Sequence, residues 1–123
     1  MGKLIVIIED NRGIMELLNF LVFHYAEDLN FSARILYFFS AEDFLSAELS
    51  KEPDLILSDV NLGYGKSGLE LLSELREKFS RTKYIIMSGD GENRALAMKL
   101  KADGFLEKPF RNWEIKEILK ILE

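Results

Sequence analysis

Five residues able to handle phosphate fall at the ends of short apolar runs. Glu9 and Asp10 follow "KLIVII", Asp59 follows "DLILS", Ser88 closes "KYIIMS" and Lys108 follows "GFLE". Three carboxylates brought to one place repel one another, so they either raise one another's pKa values or hold a cation. The chain has no cysteine, and its single histidine, His24, lies near none of these acids, so the donors on offer are hard oxygens. Such a set favours Mg²⁺, which keeps several waters and takes one or two carboxylates, with Mn²⁺ as an alternative occupant. A cation there would neutralise an incoming phosphoryl group. The Lys108 ammonium would bind another phosphate oxygen and the Ser88 hydroxyl a third. Phosphoryl transfer asks mainly for positioning and charge neutralisation, and the nucleophile on offer is a carboxylate. Any one of these residues alone reads as an ordinary solvated strand end; the set at four strand ends does not.

Whether the set forms depends on the elements that carry it. "KLIVII", "ARILYF", "DLILS", "KYIIMS" and the weaker "GFLEK" are mostly apolar at successive positions, the pattern of strands covered on both faces. Between them the spacing turns helical. Ile14, Leu17, Leu18, Leu21, Val22 and Tyr25 make one stripe, and Phe44, Leu45 and Leu49 mark a shorter helix capped by Ser40. Ser67 and Glu70 form a capping box that opens a third helix, Asn93 to Lys101 predicts a fourth, and Ile115, Ile118, Leu119 and Leu122 a fifth that opens near Pro109 and Asn112. The alternation predicts a three-layer α/β sandwich: a parallel five-stranded sheet in the flavodoxin-like order 2-1-3-4-5, with right-handed crossovers. Ligands in such sheets sit beyond the C-terminal strand ends at the switch in strand order, where Glu9, Asp10 and Asp59 would meet with Ser88 and Lys108 beside them. Residues 1–123 read as one domain, with the last helix expected to run to the final residue and no effector after it.

Composition narrows the classes. With 123 residues, 48% hydrophobic and 30% charged, the chain suits one soluble domain with a real core. No apolar run approaches the roughly 18 residues that span a bilayer, and the N-terminal run ends in acids rather than at a cleavage site, so a cytoplasmic protein without membrane attachment is expected. A net charge of −5 argues against broad nucleic-acid binding by this domain.

"IIEDN" (Ile7–Asn11), "DLILSDVNL" (Asp54–Leu62), "SGLELL" (Ser67–Leu72), "IIMSG" (Ile85–Gly89) and "GFLEKPF" (Gly104–Phe110) occur in this order along essentially the whole chain. In them the sequence resembles the receiver domain of two-component response regulators. The resemblance implies that Asp59 is the phosphorylation site and Asp10 the direct metal ligand. Glu9 would be the second pocket acid, and Asn61 would offer its backbone carbonyl to Mg²⁺. Lys108 would bind the phosphoryl group, Ser88 would be the switch hydroxyl and Phe105 the aromatic that turns inward with it. The donor would be a phosphohistidine on a sensor histidine kinase or a histidine phosphotransfer protein, or a small acyl phosphate. The fourth helix, fifth strand and fifth helix would form the output face toward a downstream protein, in a monomer or a phosphorylation-dependent dimer. The domain would catalyse only its own phosphorylation and dephosphorylation.

The departures are local. Glu9 stands where Asp is commoner, Gly89 where Ala is usual, and Phe105 where a Tyr would carry a hydroxyl. Asp90, two after Ser88, resembles a position that in the family tunes hydrolysis together with the one held here by Asn61. The stretch "VNLGYGKS" is one residue longer than the usual pattern and lacks its proline, so the Gly63–Lys66 loop is expected to be more mobile. Gly65-Lys66-Ser67 invites a nucleotide loop, but the glycine required five residues earlier is Val60. A flavin site fails on the acidic "EDNRG" after the first strand, and a phosphatase Asp-x-Asp pair fails on Asn11. An unphosphorylated interaction module on the same fold remains the alternative. His24 reads as a surface residue, and Trp113 either as an interface anchor or as packing against the preceding helix.

Overall fold

A computed structural model describes residues 2–63 and 65–123. The elements in chain order are β1 (Gly2–Ile8), α1 (Arg12–Asp28), β2 (Ser32–Phe38), α2 (Ala41–Ser46), β3 (Leu55–Asp59), α3 (Gly68–Lys78), β4 (Lys83–Ser88), α4 (Asn93–Lys99), β5 (Gly104–Glu107) and α5 (Asn112–Leu119), closed by a 3-10 turn (Lys120–Leu122). The five strands pair in parallel in the order β2-β1-β3-β4-β5, the flavodoxin-like order expected from the alternation.

Strand residues alternate between two cores because successive side chains point to opposite faces. Val6, Ile8, Ile56, Tyr84 and Ile86 pack under α2, α3 and α4, against Phe44, Leu72, Leu75 and Ala97. Ile5, Ile7, Leu55, Leu57, Ile85 and Met87 pack under α1 and α5, against Leu18, Leu21, Val22, Ile115 and Leu119. Each fully buried Leu, Ile or Val contributes about 1.5–3 kcal/mol relative to exposure. That fixes the register, since a one-residue slip would invert every side chain.

Register also carries the polar strand ends to one edge. Ile8 pairs with Ser58, so Glu9 lies beside Asp59 one step further on. Asp59 pairs with Met87, placing Ser88 one step beyond, and Ser88 pairs with Glu107, placing Lys108 one step beyond that.

Three helix ends differ from expectation. α2 stops at Ser46, whose hydroxyl donates to the Glu42 carbonyl at 2.9 Å, and the chain turns extended at Ala47. Leu49 therefore lies outside the helix, although it still packs on the core. α4 stops at Lys99: Lys101 adopts φ 71°, its N–H donates to Met98 O at 3.0 Å, and the Ala102 N–H donates to Ala97 O at 3.0 Å. That pair of bonds is a Schellman ending, built here on a lysine instead of the usual glycine, so the sequence carried no stop signal. α5 passes into the 3-10 turn after Leu119 instead of continuing as one α-helix. Leu17, placed on the buried stripe of α1, is 41% exposed; Met15 and Ala26 take the buried positions. Among the described residues no helix is long and apolar enough to cross a membrane.

Candidate functional site

β1 ends in Glu9, which is completely buried. Its Oε1 accepts from Lys108 Nζ at 2.7 Å, and its Oε2 accepts from the Asn11 N–H at 3.1 Å. Asn11 in turn caps α1, its Oδ1 accepting from the Ile14 N–H at 2.9 Å. Burial pushes the Glu9 carboxyl up from its ordinary pKa, with the Lys108 bond opposing. Burial alone would pull Lys108 down, but its bonds to the Glu9 and Asp59 carboxylates prevail and hold it above the usual lysine value.

Asp59 ends β3, 6% exposed, with its Oδ2 3.0 Å from Lys108 Nζ. Asp10 is exposed at the rim, and one carboxylate oxygen from each of Glu9, Asp10 and Asp59 lies within 4.8 Å of the others. Three carboxylates against one ammonium leave the pocket doubly negative when all are ionised. A divalent cation with hard-oxygen preference matches both that charge and the donor atoms.

Behind Asp59 the chain must pass closely. A Cβ on Gly68 would collide with the Asp59 carbonyl oxygen and lie 2.9 Å from Ser58 Oγ, so only glycine lets α3 begin this near the β3 end. The Ser67 hydroxyl accepts from the Glu70 N–H at 3.1 Å while Glu70 accepts from the Ser67 N–H at 3.1 Å, the capping box expected there. Asn61 sits exposed where the intervening loop leaves β3.

That loop was expected to be loosely held, and the structure gives it two ties. The Lys66 N–H donates to Glu42 Oε2 on α2 at 2.9 Å, and Lys66 Nζ pairs with Glu74 on α3 at 3.1 Å. Gly63 and Gly65 take φ 75° and 76°, and a side chain on Gly65 would run into the Glu42 carboxylate. Both glycines are therefore required by the path of the chain. The central residue of that stretch, Tyr64, lies outside the described residues.

Ser88 is buried at the end of β4. Its Oγ accepts from the Asp90 N–H at 3.0 Å and from Asn93 Nδ2 at 2.9 Å. Phe105 is half-buried on β5 beneath the Arg94 guanidinium, whose central carbon is 4.8 Å from the ring centroid. His24 is exposed and stacks on Phe20, away from the acids, and Trp113 is exposed on α5.

Glu9, Asp10, Asp59 and Lys108 thus form one cluster, with Ser88 at the next strand end and Phe105 set back within β5, paired with Ile86. Sequence reading missed Glu42, Asn93 and Arg94. Glu42 is 24 residues from Lys66, and no local pattern links them. Asn93 read only as a helix start, although a polar side chain five residues after a serine strand end could reach back to it.

This architecture has counterparts. Residues 5–120 match the model of the response regulator receiver domain family, and the chain belongs to that family. It is similar to the response regulator TrrA from Thermotoga maritima, solved in complex with Mg²⁺–BeF, at 28% identity and TM-score 0.78 over 98% of this chain and 99% of that one. It is also similar to NtrX from Brucella abortus, at 26% identity and TM-score 0.80 over 99% of this chain but 27% of NtrX, so it spans about a quarter of that protein. The BeF3-activated DrrB receiver domain, at 23% identity and TM-score 0.80 over 99% of this chain and 97% of that one, shares the fold.

Proposed function

We propose that the chain, acting as one receiver domain in the cytoplasm, accepts a phosphoryl group on Asp59 in a Mg²⁺-dependent reaction and thereby switches its contacts with other proteins. The observation that carries this reading is the Lys108 ammonium bridging Glu9 and Asp59, with Asp10 completing a cluster of carboxylate oxygens. A carboxylate oxygen of Asp59 attacks phosphorus, and the P–N bond of a phosphohistidine breaks with its electron pair returning to the imidazole. Lys108 binds a phosphoryl oxygen and offsets its charge. Glu9, Asp10, Asp59 and the backbone carbonyl of Asn61 would hold Mg²⁺, which would supply the remaining charge neutralisation when bound, and Mn²⁺ would suit the same oxygen ligands. Ser88 then turns toward the phosphoryl group and Phe105 follows, shifting the population of the α4–β5–α5 face.

The donor is a histidine kinase or a histidine phosphotransfer protein. Its approach is favoured over a hollow of about 370 Å³ lined by Ile14, Leu17, Lys108, Pro109 and Phe110, which is apolar except for the pocket lysine. The output partner meets α4 and α5, where Leu96, Met98 and Trp113 are exposed. Incubation with acetyl phosphate and Mg²⁺ followed by intact-mass measurement tests the reading. One added phosphoryl group on the wild type and none on Asp59→Asn is expected; an unmodified wild type at high donor and short time would sink it.

A further inference from the structure

The two residues that open α4 each reach back to one of the two proposed switch residues. Asn93 Nδ2 donates to Ser88 Oγ at 2.9 Å, and the Asp90 N–H donates to the same oxygen at 3.0 Å. A serine oxygen has two acceptor sites, and these donors fill both. Both lie on the α4 side; among the described residues no hydrogen bond joins the Ser88 hydroxyl to Asp59 or Lys108, and the Lys108 N–H meets only the Ser88 backbone carbonyl, at 2.8 Å. One residue later, the Arg94 guanidinium covers the Phe105 ring at 4.8 Å. The turn's other bonds are local, the Glu92 N–H donating to Asp90 Oδ1 at 2.9 Å and the Asn93 N–H to the Asp90 carbonyl at 3.1 Å, and of the seven residues of α4 only Ala97 is buried.

We propose that Asn93 is a positioning residue which, with Arg94, latches the first turn of α4 to Ser88 and Phe105 and holds the resting state. The proposal rests on the phosphoacceptor reading. When the Ser88 hydroxyl moves to a phosphoryl oxygen on Asp59, it leaves the Asn93 amide. When Phe105 turns inward, it leaves Arg94. One helical turn therefore registers both events, and the output face is released at its N-terminal end. The latch opposes phosphorylation, so removing it favours the phosphorylated conformation.

The test is calorimetric binding of BeF3⁻, a phosphoryl stand-in, in saturating Mg²⁺. Asn93→Ala is expected to bind it about fivefold more tightly than wild type, the weight of one net hydrogen bond. Arg94→Ala is expected to gain about two- to threefold, the weight of an exposed cation–π contact. The double variant should gain less than the product, because one turn carries both contacts. Mg²⁺ affinity without BeF3⁻ should stay unchanged in all three, which a general loosening of the domain would not allow. Unchanged or weaker BeF3⁻ binding by Asn93→Ala overturns the latch. A wild type that binds no BeF3⁻ overturns the phosphoacceptor reading and the latch with it.

Discussion

The two ends of the sheet hold the same residue types in opposite circumstances. At the N-terminal end, the acids are consumed by structure. Asp54 Oδ2 accepts from the Leu4 N–H at 2.7 Å, and Asp103 Oδ2 accepts from the Tyr84 N–H at 2.8 Å and from Arg76 at 3.0 Å. Glu52 Oε1 accepts from the Arg81 and Thr82 N–H groups at 2.6 and 3.0 Å. Arg76 also reaches the Thr82 and Lys101 carbonyls and lies 4.8 Å over the Tyr84 ring. At the C-terminal end, three carboxylates converge and one lysine pairs with two of them, Glu9 and Asp59. A carboxylate that accepts strand N–H groups has little left to offer a ligand. Carboxylates that face one another keep their mutual repulsion and, at Asp10 and Asp59, acceptor sites that no backbone N–H fills among the described residues, and a cation relieves both. Saturation ties the first edge together; incomplete saturation leaves the second with the charge and oxygen donors that the proposed function needs.

Substitutions can break that contrast. The largest effect on stability is expected at the saturated edge. Asp103→Ala strands the Tyr84 N–H and uncouples Arg76, at a cost of about 2–4 kcal/mol in urea unfolding, with Mg²⁺ affinity unaltered. Next comes the cation itself: Mg²⁺ at 100 times its dissociation constant should stabilise the wild type by about 2.7 kcal/mol. EDTA should remove that gain, and Asp59→Ala should lose most of it. Asp10→Asn should go the other way from Asp103→Ala. It removes like charge, so the metal-free melting temperature holds or rises, while Mg²⁺ binding by calorimetry weakens about tenfold or more. If Asp10→Asn instead melted early with metal affinity intact, the two edges would not differ as described.

The smallest effect is expected at Glu42. Glu42→Ala frees the Lys66 N–H and one tie of the loop between β3 and α3, at a cost of about 1 kcal/mol or less. Because Asn61 lies on the same loop, Mg²⁺ affinity should fall about two- to threefold. No change in metal binding would mean that Glu42 shapes the rim without reaching the site.

Much of the reactive edge was legible in the sequence. Contiguous apolar runs marked the strands, each run broke at an acid, hydroxyl or lysine, and the order of the motifs matched one family. Capping residues were equally plain at Ser40, Ser67 and Glu70, because a cap is a local bond over three residues. Helix ends were less so. Lys101 takes the left-handed position that usually advertises itself with glycine, and α2 gives way at Ser46 where the apolar spacing still pointed onward. Least legible were the ties across the fold, from Glu42 to Lys66, Asn93 to Ser88 and Arg94 to Phe105.

By itself, then, the sequence determined which elements form, which faces they bury and which residue types stand at the strand ends, since those follow from short-range periodicity and backbone chemistry. Only the tertiary structure decided which carboxylates stay free and which are consumed. Parallel pairing brings Glu9 beside Asp59, 50 positions along the chain, while at the opposite end of the sheet the N–H groups of Leu4 on β1 and Tyr84 on β4 meet Asp54 and Asp103. A carboxylate's chemistry depends on what remains unbonded around it, and that is a property of the assembled sheet.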